Sequence, residues 1–147
     1  MMKNLEIKYT ATHEWIEFLN STECNIGITE RIQEVYSNII FIELPILGEY
    51  EQGEIIGRIE TSDGRNFYIY APISGEVYEI NDGLEDDIEL INRFPEGDGW
   101  ICKFRIENPN EIDTLLNRKE YEAHEEEELN EDEYLPETDF YENIEDY

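Results

Sequence analysis

Between Asn38 and Leu44 the chain reads Asn-Ile-Ile-Phe-Ile-Glu-Leu, and Pro45 stops it. A run this short and rich in β-branched residues favours a strand over a helix, and its near-continuous apolar character predicts one buried on both faces. Gly48, Gly53 and Gly57 then break the chain into short segments filled by Ile55, Ile56 and Ile59. Residues 7–18, 24–28, 67–71, 76–80 and 100–106 repeat the pattern, with Pro72 and Ser74-Gly75 among the breakers. Many short strands separated by Gly and Pro predict an all-β sandwich or barrel. Two helices interrupt it. Thr29 is placed to cap a two-turn helix presenting Ile32, Val35 and Tyr36. Asn108-Pro109-Asn110 opens another, with Ile112, Leu115, Leu116 and then Tyr121 on its apolar side. Residues 81–99 read as loop.

The chain has 147 residues, a formal charge of -28 and 39% hydrophobic residues, enough for one small core. Half of the excess charge is near the end: residues 120–147 hold 14 acids and no base, and residues 1–119 hold 24 acids against 10 bases. We therefore expect a domain over 1–121 and an acidic, disordered tail over 122–147, with a helical start carried over from residues 111–124 and with Tyr134, Leu135, Phe140 and Tyr141 scattered among acids. The charge disfavours nucleic acid and anionic membranes as partners. No apolar run reaches membrane-spanning length, and neither a secretory core nor a transit peptide is visible. A cytoplasmic protein is expected, with the mitochondrial matrix left open.

Candidate chemistry is sparse. Cys24 and Cys102 form no CxxC pair, and His13 and His124 are remote from both, so no metal site is expected. The cysteines read as small buried hydrophobes, their mutual distance unreadable. Glu85-Asp86-Asp87 beside Asp82 reads as a solvated loop. His13-Glu14 carries acid–base types, but a structural role fits better, and no catalytic residue is assigned. The most informative stretch is Gly57 to Pro72, where two strands flank Asp63-Gly64. Asp-Gly is a strong hairpin signal, and a type I′ turn requires positive φ at both residues.

At this point the chain resembles the glycine cleavage H-protein family. The resemblance rests on Tyr9-Thr10 with His13-Glu14-Trp15; on Gly27-Ile28-Thr29, Gln33 and Ile40 to Pro45 with Gly48; and on Tyr70 to Val77. It continues through Asn81, Leu84, Leu90-Ile91-Asn92, Pro95, Gly97 and Gly99-Trp100 to Tyr121. It implies a mainly β fold: a flattened barrel-sandwich hybrid of the lipoyl/biotinyl type, with a short helix near residues 29–36 and a C-terminal helix. It also implies a non-enzymatic carrier. In the family a lipoyl group on a hairpin lysine takes an aminomethyl unit from the decarboxylating protein. It presents that unit to the aminomethyltransferase and is reoxidised by a flavin dehydrogenase.

The family's turn reads Glu-Ser-Val-Lys-Ala. Here Glu60 and Thr61 keep its start, but the lysine's place falls on Asp63 counting forward or Gly64 counting back from Tyr70, and the interval is one residue longer. The nearest cation is Arg65, whose guanidinium is no substitute for the amine. The lysines are Lys3, Lys8, Lys103 and Lys119. The degenerate tip Glu60, Thr61, Asp63, Gly64 and Arg65 is therefore the expected site, with no cofactor predicted where the family carries lipoate. The first expectation is a non-catalytic binding or scaffold module for glycine cleavage or lipoylation proteins. Two alternatives stand: a genuine H-protein that shuttles the aminomethyl group, and an unrelated interaction protein reusing the fold.

Overall fold

The computed structural model describes residues 6–130. Among the described residues nine strands form two antiparallel sheets. The larger holds β1 (Ile7–Tyr9), β2 (Glu14–Phe18), β3 (Glu23–Ile28), β9 (Cys102–Ile106), β8 (Gly75–Ile80) and β5 (Gly48–Tyr50), in that order. The smaller holds β4 (Ile39–Glu43), β6 (Ile55–Thr61) and β7 (Asn66–Tyr70). Alternation aims one face of each sheet inward. Ile16, Ile26, Ile28, Val77 and Phe104 come from the larger sheet; Ile39, Ile42, Ile59, Phe67 and Ile69 come from the smaller. The expected mainly β sandwich is thus present. Cys24 and Cys102 share this core on adjacent strands, both buried and both free thiols.

A second apolar cluster holds Tyr9, Trp15 and Tyr121, with Trp100 and Leu116 against it. It seats α4 (Arg118–Asn130) against β1 and the sheet. The Tyr9 and Tyr121 rings stack 4.7 Å apart, and the Trp15 indole N–H donates to the Pro95 carbonyl. The fully buried tryptophan is Trp15, whereas Trp100 is only half-buried and holds the Lys103 ammonium over its ring. The indole lies across Gly27, where a Cβ would come within 2.5 Å of it. Gly27 is therefore a clearance for Trp15.

Several expectations are corrected. β4 is not buried on both faces: Ile39 and Ile42 face inward, while Ile40 is 55% and Phe41 43% exposed. A register shift between Ile39 and Phe41 in the pairing with β6 leaves the successive Ile40 and Phe41 side chains both outward. The 81–99 stretch carries two short helices, α2 (Gly83–Asp86) and α3 (Glu89–Arg93), which bury Leu84 and Ile91; the abundance of turn residues masked them. Thr29 does not head α1 (Arg31–Val35). Glu30 occupies the cap, and the Thr29 hydroxyl instead meets the Tyr121 hydroxyl. The single terminal helix is two elements, a 3₁₀ segment Pro109–Thr114 and then α4, with an extended Leu115 between them.

α4 also runs through the Glu125–Glu128 block, so the first part of the expected 122–147 tail is helical; the expectation for 131–147 lies outside the described residues.

Two glycines separate space from strain. At Gly57 a Cβ would meet the Glu43 carbonyl oxygen at 2.6 Å, whereas at Gly64, with φ +91°, it would meet nothing within 4 Å. Gly57→Ala is expected to cost about 2–3 kcal/mol by forcing β4 from β6. Gly64→Ala should cost about 1 kcal/mol through backbone strain alone. Urea unfolding of the two variants checks the order.

Candidate functional site

The hairpin of β6 and β7 closes over Thr61–Arg65. The Thr61 N–H donates to the Arg65 carbonyl and the Gly64 N–H to the Thr61 carbonyl. Gly64 has positive φ, but the only described non-glycine residue that does is His13. The expected type I′ turn is therefore corrected. This is a three-residue loop with Gly64 in the left-handed bulge position.

The tip is fastened to the body. Ser62 N–H donates to the Asn38 carbonyl at 2.8 Å, and Asp63 N–H to the Ser37 hydroxyl at 3.1 Å. The Ser62 and Ser37 hydroxyls are 2.9 Å apart, and Thr61 donates to the Asp63 carboxylate. The Arg65 guanidinium lies 5.1 Å from the Tyr36 ring centroid and 3.6 Å from Asp63. Glu60, at the base, pairs with Arg58 at 2.9 Å. The five expected site residues thus sit together, and no amine is among them. Lys8 is in β1, Lys103 in β9 and Lys119 in α4. A lipoyl amide finds no acceptor at this tip, so the residues present do not fit that group.

The turn between β1 and β2 repeats the same hydrogen bonds, Thr10 N–H to the Glu14 carbonyl and His13 N–H to the Thr10 carbonyl. His13, with φ 75°, occupies the position that Gly64 takes in the other hairpin. Histidine there costs backbone strain of about 1 kcal/mol that glycine avoids. What it contributes is an aimed imidazole. His13 is fully buried; Nδ1 lies 2.6 Å from the Tyr121 hydroxyl and Nε2 lies 3.0 Å from Glu128. Burial holds the ring neutral, its pKa lowered to about 3, with His124 and Arg31 adding repulsion. A neutral ring fits the contacts, Nε2–H donating to the carboxylate and Nδ1 accepting from the tyrosine. His124 Nε2 is 3.2 Å from the same carboxylate, and Arg31 is 3.5 Å from it. Burial raises the Glu128 pKa against the lowering pull of His124 and Arg31. His13, His124 and Glu128 are thus a possible metal-ligand set, with all three donor atoms within 4.8 Å of one another. The sequence reading missed it because the i, i+4 pair His124 and Glu128 lay in the expected tail.

Glu14, adjacent in sequence, points elsewhere. Its carboxyl accepts from the Thr10 and Thr12 hydroxyls and from the Tyr70 N–H at 3.0 Å, beside a small cavity lined by Ile59, Phe67 and Ile69. His13 and Glu14 therefore form no acid–base pair. Burial raises the Glu14 pKa to about 7 despite those donors. A carboxyl raised in the fold stabilises it most below its unfolded pKa, and that contribution is lost as pH rises through about 7, a swing of about 3 kcal/mol. His13, lowered in the fold, contributes the opposite slope, losing stability as pH falls below its ordinary value. Glu14→Gln keeps the His13 slope and removes the other. Its stability relative to wild type should rise by about 3 kcal/mol between about pH 4.5 and 7.5. Urea titrations across that window measure it, and a constant difference would refute the assignment.

A sequence profile of the glycine cleavage H-protein family matches residues 7–128. A glycine cleavage system H protein of Vibrio vulnificus is 40% identical over 116 residues, covering 78% of this chain and 91% of the relative. One from Thermotoga maritima is 37% identical over 116 residues, with 78% and 92% covered. The crystal structure of a glycine cleavage system H protein from Mycobacterium marinum superposes with a TM-score of 0.70 at 27% identity, covering 84% of this chain and 98% of that one. With its sandwich, its central hairpin and its C-terminal helix, the chain belongs to the glycine cleavage H-protein family.

Proposed function

We propose that this family member acts by docking on proteins of glycine cleavage or of lipoylation, without itself carrying a lipoyl arm. The observation that supports the reading is the sequence of the tip Thr61–Arg65, in which the position that the resemblance implies for the acceptor lysine falls on Asp63 or on Gly64. The surface beside it suits docking. β4 is an edge of the smaller sheet, and its exposed Ile40 and Phe41 flank Thr61 and Glu60. Two exposed apolar side chains next to a fastened polar tip form a small anchor within a polar rim. No helix among the described residues is long and apolar enough to cross a membrane, and the -28 charge disfavours nucleic acid as the partner.

The second reading, a genuine carrier of the aminomethyl group, is favoured by the family matches, since the relatives are themselves named glycine cleavage system H proteins. Intact mass after co-expression with a lipoyl ligase separates the two. The wild-type chain is expected to remain unmodified, and Asp63→Lys or Gly64→Lys, which supplies an amine at the tip, to gain a lipoyl adduct. An adduct on the wild-type chain would establish the carrier reading instead. In pull-downs with the glycine cleavage proteins, Phe41→Ser should weaken capture several-fold, as expected for an anchor residue.

A further inference from the structure

We propose that His13, His124 and Glu128 form a binding site for a zinc-like divalent transition-metal ion, which clamps α4 to the turn between β1 and β2. Glu128 Oε2 lies 3.2 Å from the Nε2 atoms of both His13 and His124. A tetrahedral ion with ligands at 2.0–2.1 Å separates neighbouring ligand atoms by about 3.4 Å, so both contacts are near the edge length of such a tetrahedron. Two imidazoles and a carboxylate suit zinc and its neighbours rather than calcium or magnesium.

The surroundings support the ligands in the way metal sites require. With the ion bound, His13 takes the Nδ1–H tautomer and donates to the Tyr121 hydroxyl at 2.6 Å, which in turn donates to Thr29 Oγ1 at 2.6 Å; that fixes the ring and frees the Nε2 lone pair for the ion. Arg31 Nη2 faces Glu128 Oε1, leaving Oε2 for the ion. The guanidinium opposes a cation, and the carboxylate between the two charges screens that repulsion. The Ala11 carbonyl oxygen, 2.9 Å from His124 Nε2, lies beside the site, where it or a water can take a fourth position. In the metal-free state the single His124 N–H there is shared between that carbonyl and Glu128. The strained φ of His13 is a separate sign of purpose, because the equivalent position in the other hairpin is a glycine. Entry is from the side of His124, which is about a quarter exposed.

The chain contains only two histidines, which makes the test specific against the many surface carboxylates. The tag-free full-length chain is titrated with Zn²⁺ while the histidine ring resonances are followed by ¹⁵N NMR, and with Co²⁺ while visible absorption is followed. One equivalent of Zn²⁺ is expected to move both imidazoles together, and Co²⁺ to give tetrahedral d–d bands that Zn²⁺ abolishes. His124→Gln and Glu128→Gln should each weaken binding tenfold or more, whereas Glu126→Gln, on the exposed side of α4, should change nothing. Circular dichroism confirms that each variant remains folded. If His13 does not respond, or if Glu128→Gln binds as tightly as wild type, the site does not exist.

Discussion

Tyr121 fastens α4 to three parts of the chain that the larger sheet sets side by side. Its hydroxyl lies 2.6 Å from His13 in the first hairpin turn and 2.6 Å from Thr29, just past β3, while its ring stacks on Tyr9 of β1. α4 has a strongly polar surface and little apolar face with which to hold itself down. Its docking depends on that one aromatic residue, together with the Arg118 contact to the Tyr9 hydroxyl and the Glu128 contact to His13 two turns further on. A buried tyrosine hydroxyl with both neighbours in place costs little to desolvate; with both removed it becomes an orphaned polar atom under a helix.

Much of the fold is legible in the sequence because burial is periodic. Cys102 to Ile106 and Glu76 to Ile80 alternate and become strands, and Pro45, Gly53 and Pro72 fall between elements as expected, whereas Gly57, read as a breaker, lies inside β6. Two of the misread segments share a cause, which is that a local pattern was overridden by a distant partner. Ile40 and Phe41 look buried until a bulge against β6 turns them outward. Thr29 looks like a cap until Tyr121, ninety-two residues away, takes its hydroxyl. The tip residues from Glu60 to Arg65 were legible as a group, since a hairpin keeps neighbours in sequence adjacent in space. The histidine–glutamate cluster was not, because its members come from opposite ends of the described chain.

The two hairpins sharpen the reading of the tip. Both use one backbone path with one left-handed position, filled by Gly64 in one and His13 in the other. Where a side chain has work inside the protein, the strain is tolerated; where the loop faces water, glycine removes it. The outer loop is thus relaxed in its backbone yet held by Ser37, Asn38 and Tyr36.

That fastening bears on stoichiometry. A tethered arm samples a volume, so one carrier can serve several enzymes in turn at high effective concentration. A loop hydrogen-bonded to its own scaffold presents one surface to one partner at contact distance. On the proposed reading, the protein's influence would track how many partner molecules it occupies at a given moment, and its cellular abundance relative to theirs, rather than any turnover number, would set the size of its effect.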